Sequence, residues 1–249
     1  MNNMKKTFLI CLFIIFTLSV TVLSAAADPI KVAINPDSKP FKYYDENGVF
    51  SGIDADVMKA LAEELDLEFE YVEMKFEDIF ESVASCEVDA AISALSKNEN
   101  RSELVAFTEP YLMGQLSAFV RLKNDDFTDI SDEDIDVIGS KIGTTAETAS
   151  RDLAGKYNLE QKHYENYADL FAALENDEID AAVSDEFLAK EFVDSYADIM
   201  TVGQIISHEP YAIAVCPDNN ELVQKLNTGL AALQLSGKLD EILLNNLMK

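Results

Sequence analysis

Apolar residues recur along this chain in blocks whose period switches between that of a strand and that of a helix. The β-branched PIKVAI (29–34) reads as a buried strand, and GIDADVMKALAEELDLEF then puts Ile53, Val57, Leu61 and Leu65 on one helical face. Asp54 stands where a cap for that helix is expected. A strand in EFEYVEM, a helix in FEDIFESVAS and a strand in EVDAAIS (87–93) complete a first series. A second series runs from the strand DVIGSKIG (136–143) through a helix opening near Thr145, a strand near QKHY, the helix NYADLFAALEND and the strand EIDAAVS (178–184). Strands alternating with helices predict an α/β fold of mostly parallel sheets covered on both faces.

Two phrases are spelled twice. EVDAAIS returns as EIDAAVS 91 positions later, each copy entered from an amphipathic helix. Equivalent strands in two similar lobes explain the repeat; two ordinary helix-to-strand units of one sheet are the alternative. EPY occurs at Glu109–Tyr111 and again at Glu209–Tyr211, on either side of the second series, where chain crossings between lobes would fall. After Tyr211 come one strand and two amphipathic helices, expected to return to the first lobe. The organisation expected is a leader over 1–27, a discontinuous first lobe over 28–111 plus 212–249, and hinge segments with a second lobe over 112–211.

The leader reading comes from Lys5 and Lys6 before an apolar run that ends in small residues at Ser24–Ala27, the pattern of a cleaved secretory signal peptide. An N-terminal membrane anchor is the alternative. Removing the leader's two lysines, with no acid, leaves 17 basic and 46 acidic residues, a net charge of −29. Such a surface repels nucleic acid and anionic lipid. Export permits a disulfide between Cys86 and Cys216, but two cysteines in a sequence do not show that they meet, and two separate thiols are the expectation. His163 and His208 have no cysteine or carboxylate at ligand spacing, so no metal site is expected.

Ligands of open parallel sheets sit beyond the carboxyl ends of the strands. The first copy of the repeated phrase delivers Ala94, Ser96 and Arg101 to such an edge, and the second delivers Asp185. A guanidinium fork suits a carboxylate and an aspartate suits an ammonium, so the pair fits a zwitterion such as an α-amino acid. Two unrelated surface charges are the alternative. KIGTTAET (141–148) adds a glycine turn and a helix start whose free N–H groups attract carboxylates, unless it is only a cap.

VAINPDSKPFKYYDENGVFSGIDADVMKALAEEL, VDAAISALSKNENRSELVAFTEPY, KIGTTAET and IDAAVSD occur in this order over essentially all of the chain beyond the leader. Together they resemble the solute-binding proteins of polar amino-acid ABC importers. The resemblance implies a two-lobe periplasmic-binding-protein-like fold with two hinge crossings, a periplasmic or extracellular monomer that passes its ligand to a membrane ABC permease, and no cofactor. It implies that Arg101 binds the ligand carboxylate, with the Ser96 hydroxyl, backbone groups of Ser93 and Ala94, and the Thr144/Thr145 loop of the other lobe. Asp185 would hold the ammonium, and Phe76 would pack on the ligand side chain. Where many members have an aspartate and then an aromatic, this chain has Asn35 and Ser38, which argues against a cationic side chain. Lys141 could reach the side chain and suits an amide or a carboxylate; its alternative is a solvated lysine beside a turn. The function expected is therefore capture of a polar amino acid, a neutral polar or acidic one ahead of a cationic one. A cleft enzyme of the cyclohexadienyl-dehydratase kind, on the same fold, is the alternative, with Lys141 or Asp185 as its acid or base.

Overall fold

The computed structural model describes residues 28–121, 129–131, 134–196 and 198–248; the leader expected over 1–27 lies outside them. In chain order the elements are β1 (Ile30–Ile34), β2 (Tyr43–Tyr44), β3 (Phe50–Ser51), α1 (Ile53–Leu65), β4 (Phe69–Glu73), a 3-10 turn (Phe76–Asp78), α2 (Ile79–Ala84), β5 (Ala90–Ala91), α3 (Glu99–Ser102), β6 (Ala106–Phe107) and β7 (Leu112–Arg121). They continue as β8 (Val137–Lys141), α4 (Thr145–Tyr157), β9 (Glu160–Tyr164), α5 (Tyr167–Glu175), β10 (Ala181–Asp185), α6 (Glu186–Ser195), β11 (Ile199–Tyr211), β12 (Ala214–Val215), α7 (Asn220–Leu235) and α8 (Lys238–Leu247).

The strands form two five-stranded sheets of matching design, ordered β4-β1-β5-β12-β6 and β9-β8-β10-β7-β11. In each, the first three strands are parallel and the fourth is antiparallel to its neighbour, so the sheets are mixed. The repeated phrase occupies the same central place in both. Ala90 and Ala91 face Val32 and Ala33, and their counterparts Ala181 and Ala182 face Ile138 and Gly139. The aspartate of the phrase does the same work twice. The Asp89 carboxylate accepts from the N–H of Lys31 at 2.8 Å, and that of Asp180 from the N–H of Val137 at 2.9 Å, pinning each central strand to its neighbour.

The EPY segments meet side by side. Tyr111 N–H donates to the Tyr211 carbonyl at 2.8 Å, and the long strands β7 and β11 pair antiparallel from there, Leu112 opposite Tyr211 and Glu209 opposite Gly114. Strand β12 then joins the first sheet, and α7 and α8 pack on α1, with Leu226 and Leu230 in one core with Leu61 and the Asn246 amide bonded to Asp56 at 2.8 Å. Cys86 and Cys216 are joined by a disulfide. Among the described residues no helix is long and apolar enough to cross a membrane.

The α1 periodicity is as expected, with Ile53, Val57 and Leu61 fully buried. Its start is not. Gly52 occupies the cap position at φ 108, and a Cβ there would lie 2.4 Å from the Phe41 carbonyl oxygen, so only glycine fits. Asp54 is not the cap. It is the second residue of the helix and fully buried, its carboxylate accepting from the Ala94 N–H at 2.8 Å and the Tyr111 hydroxyl at 2.7 Å.

Candidate functional site

A cavity lies where the two sheets' carboxyl edges face each other. Eight of the expected residues line it: Phe76, Ser93, Ala94, Ser96, Arg101, Thr144, Thr145 and Asp185. The first-lobe side is built by the loop after β5. Ala94 adopts a left-handed φ of 48, held by its N–H bond to Asp54, and Ser93 Oγ accepts from the Asn35 N–H at 3.2 Å. The Ala94 N–H is thus already satisfied within the protein. Ser96 bridges to Tyr211, joining this loop to the crossing strand. Asn98 caps α3 by accepting from the Arg101 N–H at 2.9 Å, which sets the start of the guanidinium's arm.

Arg101 makes no ion pair among the described residues. Its Nη1 donates to the Ser96 carbonyl at 2.9 Å and its Nη2 to the Gly143 carbonyl at 3.0 Å, and the guanidinium stacks on Phe80 at 4.4 Å from the ring centroid. Burial pushes it down to about 10, partly offset by the field of Glu209, so it stays charged at neutral pH. Asp185, at the end of β10, is 3% exposed and likewise lacks a cationic partner among the described residues. It caps α6, one oxygen accepting from the N–H groups of Phe187 at 2.8 Å and Leu188 at 3.4 Å, while the other accepts from Gln115 N–H at 3.1 Å; Tyr211 donates to it as well. Burial outweighs these donors and raises it to about 6. Gly114 makes the room: a Cβ there would lie 2.5 Å from the Asp185 carboxylate and 3.0 Å from the Tyr211 ring.

The second-lobe rim is the start of α4. Thr144 caps the helix, accepting from Glu147 N–H at 3.2 Å and donating to the Lys141 carbonyl at 2.7 Å, and Thr145 donates to Glu209 at 2.8 Å. Both hydroxyls are occupied. What the rim offers to the cavity is the helix start itself, whose first N–H groups have no intrahelical partner.

Three expected residues stand behind the cavity wall and do not line it. Asn35 donates to the Met74 carbonyl at 3.1 Å, and Ser38 donates to Asp37 at 2.7 Å, because the first loop turns inward on its own polar groups. Lys141 is neither solvated nor in the cavity; it is 1% exposed and ion-paired to Asp37. Asp37 is also paired to Lys42, and although burial pushes its carboxyl up, the two lysines hold it at about 2. Burial lowers the Lys141 ammonium to about 8. The loop therefore does carry an acid, two positions beyond Asn35. Lys42, Tyr167, Leu116, Leu188, Ala146 and Tyr211 line the cavity and were not anticipated. Tyr211 had a signal in the duplicated EPY; Tyr167 opens α5 and reads from the sequence as one more residue of an amphipathic helix.

The profile of the bacterial extracellular solute-binding proteins, family 3, matches residues 30–247. The chain belongs to this family. It is similar to ABC transporter arginine-binding protein 1 of Escherichia coli (strain K12), 29% identical over 244 residues that cover 96% of this chain and 97% of that one. Among solved structures it is similar to an ancestral arginine-binding protein bound to arginine, with TM-score 0.82 and 29% identity over 88% of this chain and 98% of that chain. It is also similar to an ancestral amino acid-binding protein described as a precursor of cyclohexadienyl dehydratase, with TM-score 0.79 and 26% identity over 88% of this chain and 95% of that chain.

Proposed function

We propose that this family member is an exported, monomeric receptor that captures an α-amino acid between its lobes and hands it to a membrane ABC permease. One observation carries the reading: a guanidinium and a carboxylate, each without an ion-pair partner among the described residues, line the same cavity from the two sheets. A zwitterion compensates both at once. Its carboxylate would meet Arg101 and the start of α4, and its ammonium would add to the donors already on Asp185, supplying the positive charge that they lack. Strands β7 and β11 serve as the hinge, and ligand shifts the lobes toward closure by contacts made to both.

The sequence-based preference for a neutral polar or acidic side chain over a cationic one does not survive. It rested on Asn35 standing where an acid is common, yet Asp37 supplies an acid in the same loop, and the named binding relatives are arginine-binding proteins. The ligand class is a polar amino acid, cationic ones included.

The enzyme alternative has one observation in its favour, a cavity carboxyl raised to about 6 on a scaffold similar to a dehydratase precursor. Incubation with prephenate or arogenate, followed for aromatic product, tests it; turnover above background overturns the receptor reading. For that reading the test is thermal melting against the twenty amino acids, where ligand at about 100 times its Kd stabilises by about 2.7 kcal/mol. A shift with a polar subset supports capture, and no shift with any of them refutes it.

A further inference from the structure

Behind Phe76 and Tyr167 stands a cluster that the zwitterion reading does not use. Lys141, closing β8 in the second sheet, reaches into the first-lobe loop, where its ammonium is ion-paired to the Asp37 carboxylate and donates to Asn35 Oδ1 at 3.2 Å. The same ammonium lies 5.1 Å from the Phe76 ring centroid and 4.9 Å from that of Tyr167. A carboxylate, an amide oxygen and two ring faces around the Lys141 ammonium make a cation cage, whose carboxylate is shared with Lys42, itself 5.8 Å from the Phe76 ring centroid. The cage adjoins the ligand cavity, because Phe76 and Tyr167 line both. Lys42 holds the other Asp37 oxygen, a contact that does not depend on Lys141.

We propose that Lys141 is the internal occupant of a cation cage formed by Asp37, Asn35, Phe76 and Tyr167, and that its presence sets the side-chain class of the ligand. A neutral polar side chain leaves the lysine seated and the lobes latched through Asp37. A guanidinium or ammonium side chain has to displace it, since Lys42, Lys141 and a third cation would share one carboxylate. Without Lys141 the cluster loses one positive charge, and a cationic ligand restores it in the same place. The selectivity part rests on the amino-acid reading above; the cage itself does not.

The test separates the two. Lys141→Ala is melted with methylguanidinium chloride against sodium chloride of equal ionic strength, beside wild type, Lys141→Met, whose side chain refills the cage, and Lys141→Ala/Asp37→Asn. The expected result is a rise in Tm with methylguanidinium for Lys141→Ala alone. Lys141→Ser is read the same way should the alanine variant not fold. Calorimetry should then show arginine binding to Lys141→Ala about tenfold or more tightly than to wild type, a gain of about 1.4 kcal/mol. A folded Lys141→Ala that ignores methylguanidinium, or a double variant that responds equally, overturns the cage even if wild type binds amino acids. Rescue by methylguanidinium with no amino acid bound by either protein upholds the cage and refutes the receptor.

Discussion

Arg101 reaches from one lobe to the other, its Nη2 donating at 3.0 Å to the carbonyl of Gly143, the residue before the cap of α4. Its Nη1 is held at 2.9 Å by Ser96 on its own side. The guanidinium is therefore positioned by the approach of the lobes, and the charge that would greet a carboxylate is presented only where the start of α4 is also present. Asp185 stands in the corresponding position on the other side, fixed by Gln115 of the crossing strand β7 and by Tyr211 of β11. The two charges thus line one cavity, Arg101 held by a bond to each side and Asp185 by its own sheet and helix.

Acidification should stabilise the free protein and weaken ligand binding. Burial raises Asp185 and Asp54 from 3.8 to about 6 in the folded chain. The stability each contributes is complete below 3.8, the unfolded value, and is lost as pH rises through about 6. Asp37, held at about 2, acts in the opposite sense only on further acidification below 3.8. The melting temperature without ligand should thus be higher near pH 5 than near pH 7. Ligand affinity, which needs the Asp185 carboxylate charged, should fall by up to about tenfold per pH unit once pH drops below that range. Melting curves and titration calorimetry across this window check both signs.

Gly114→Ala should damage binding more than its single methyl suggests. The new Cβ would sit 2.5 Å from the Asp185 carboxylate, so that group or the crossing strand has to move. We expect a stability loss of about 1–3 kcal/mol and an affinity loss of about tenfold or more, since displacement of a positioned charge acts on every ligand alike. An unchanged calorimetric Kd would show that Asp185 is not held for the ligand.

Tyr111→Phe removes the hydroxyl that satisfies Asp54 at 2.7 Å. Among the described residues, Asp54 then keeps only the Ala94 N–H as a hydrogen-bond donor, deep in the core. The expected cost is about 1–3 kcal/mol, the penalty of a buried acceptor left short of a partner. Urea denaturation of both proteins measures it; an unchanged midpoint would mean that the Asp54 network carries little.

The Cys86–Cys216 bridge closes a separation of 130 residues. In the chain-entropy account a loop of that length is worth about 4–5 kcal/mol. Neither cysteine lines the cavity. Reduction, or Cys86→Ser with Cys216→Ser, should lower the melting temperature strongly and leave Kd at permissive temperature nearly unchanged. A matching loss of affinity would place the bridge in the binding machinery.

Much of this was legible before any coordinates. The β5 and β10 copies could be read because each strand is buried and each carries an aspartate that bonds the neighbouring strand, so Asp89 and Asp180 are constrained alike. That Arg101 and Asp185 meet at one cavity could be read because both follow the carboxyl ends of central strands. The first loop could not. NPDSKP has no period to betray which way its side chains turn, and it turns them on one another. Lys141, in front of a glycine turn, looks solvated from sequence alone. Its burial is set by Asp37, 104 positions away, and only the folded chain brings the two together. Asp54 misled for a related reason: an acid early in a helix is usually a cap, but Gly52 starts this helix and turns Asp54 into the core.

The account rests most heavily on the Arg101 guanidinium, which has no ion-pair partner among the described residues. Titration calorimetry of wild type and Arg101→Met with the amino acid that stabilises the wild type most is the direct measurement. The expected result is a loss of about 100-fold or more in affinity, in keeping with removal of a buried charge partner, with little change in melting temperature without ligand. An Arg101→Met protein that binds the same amino acid as tightly as wild type would contradict the account.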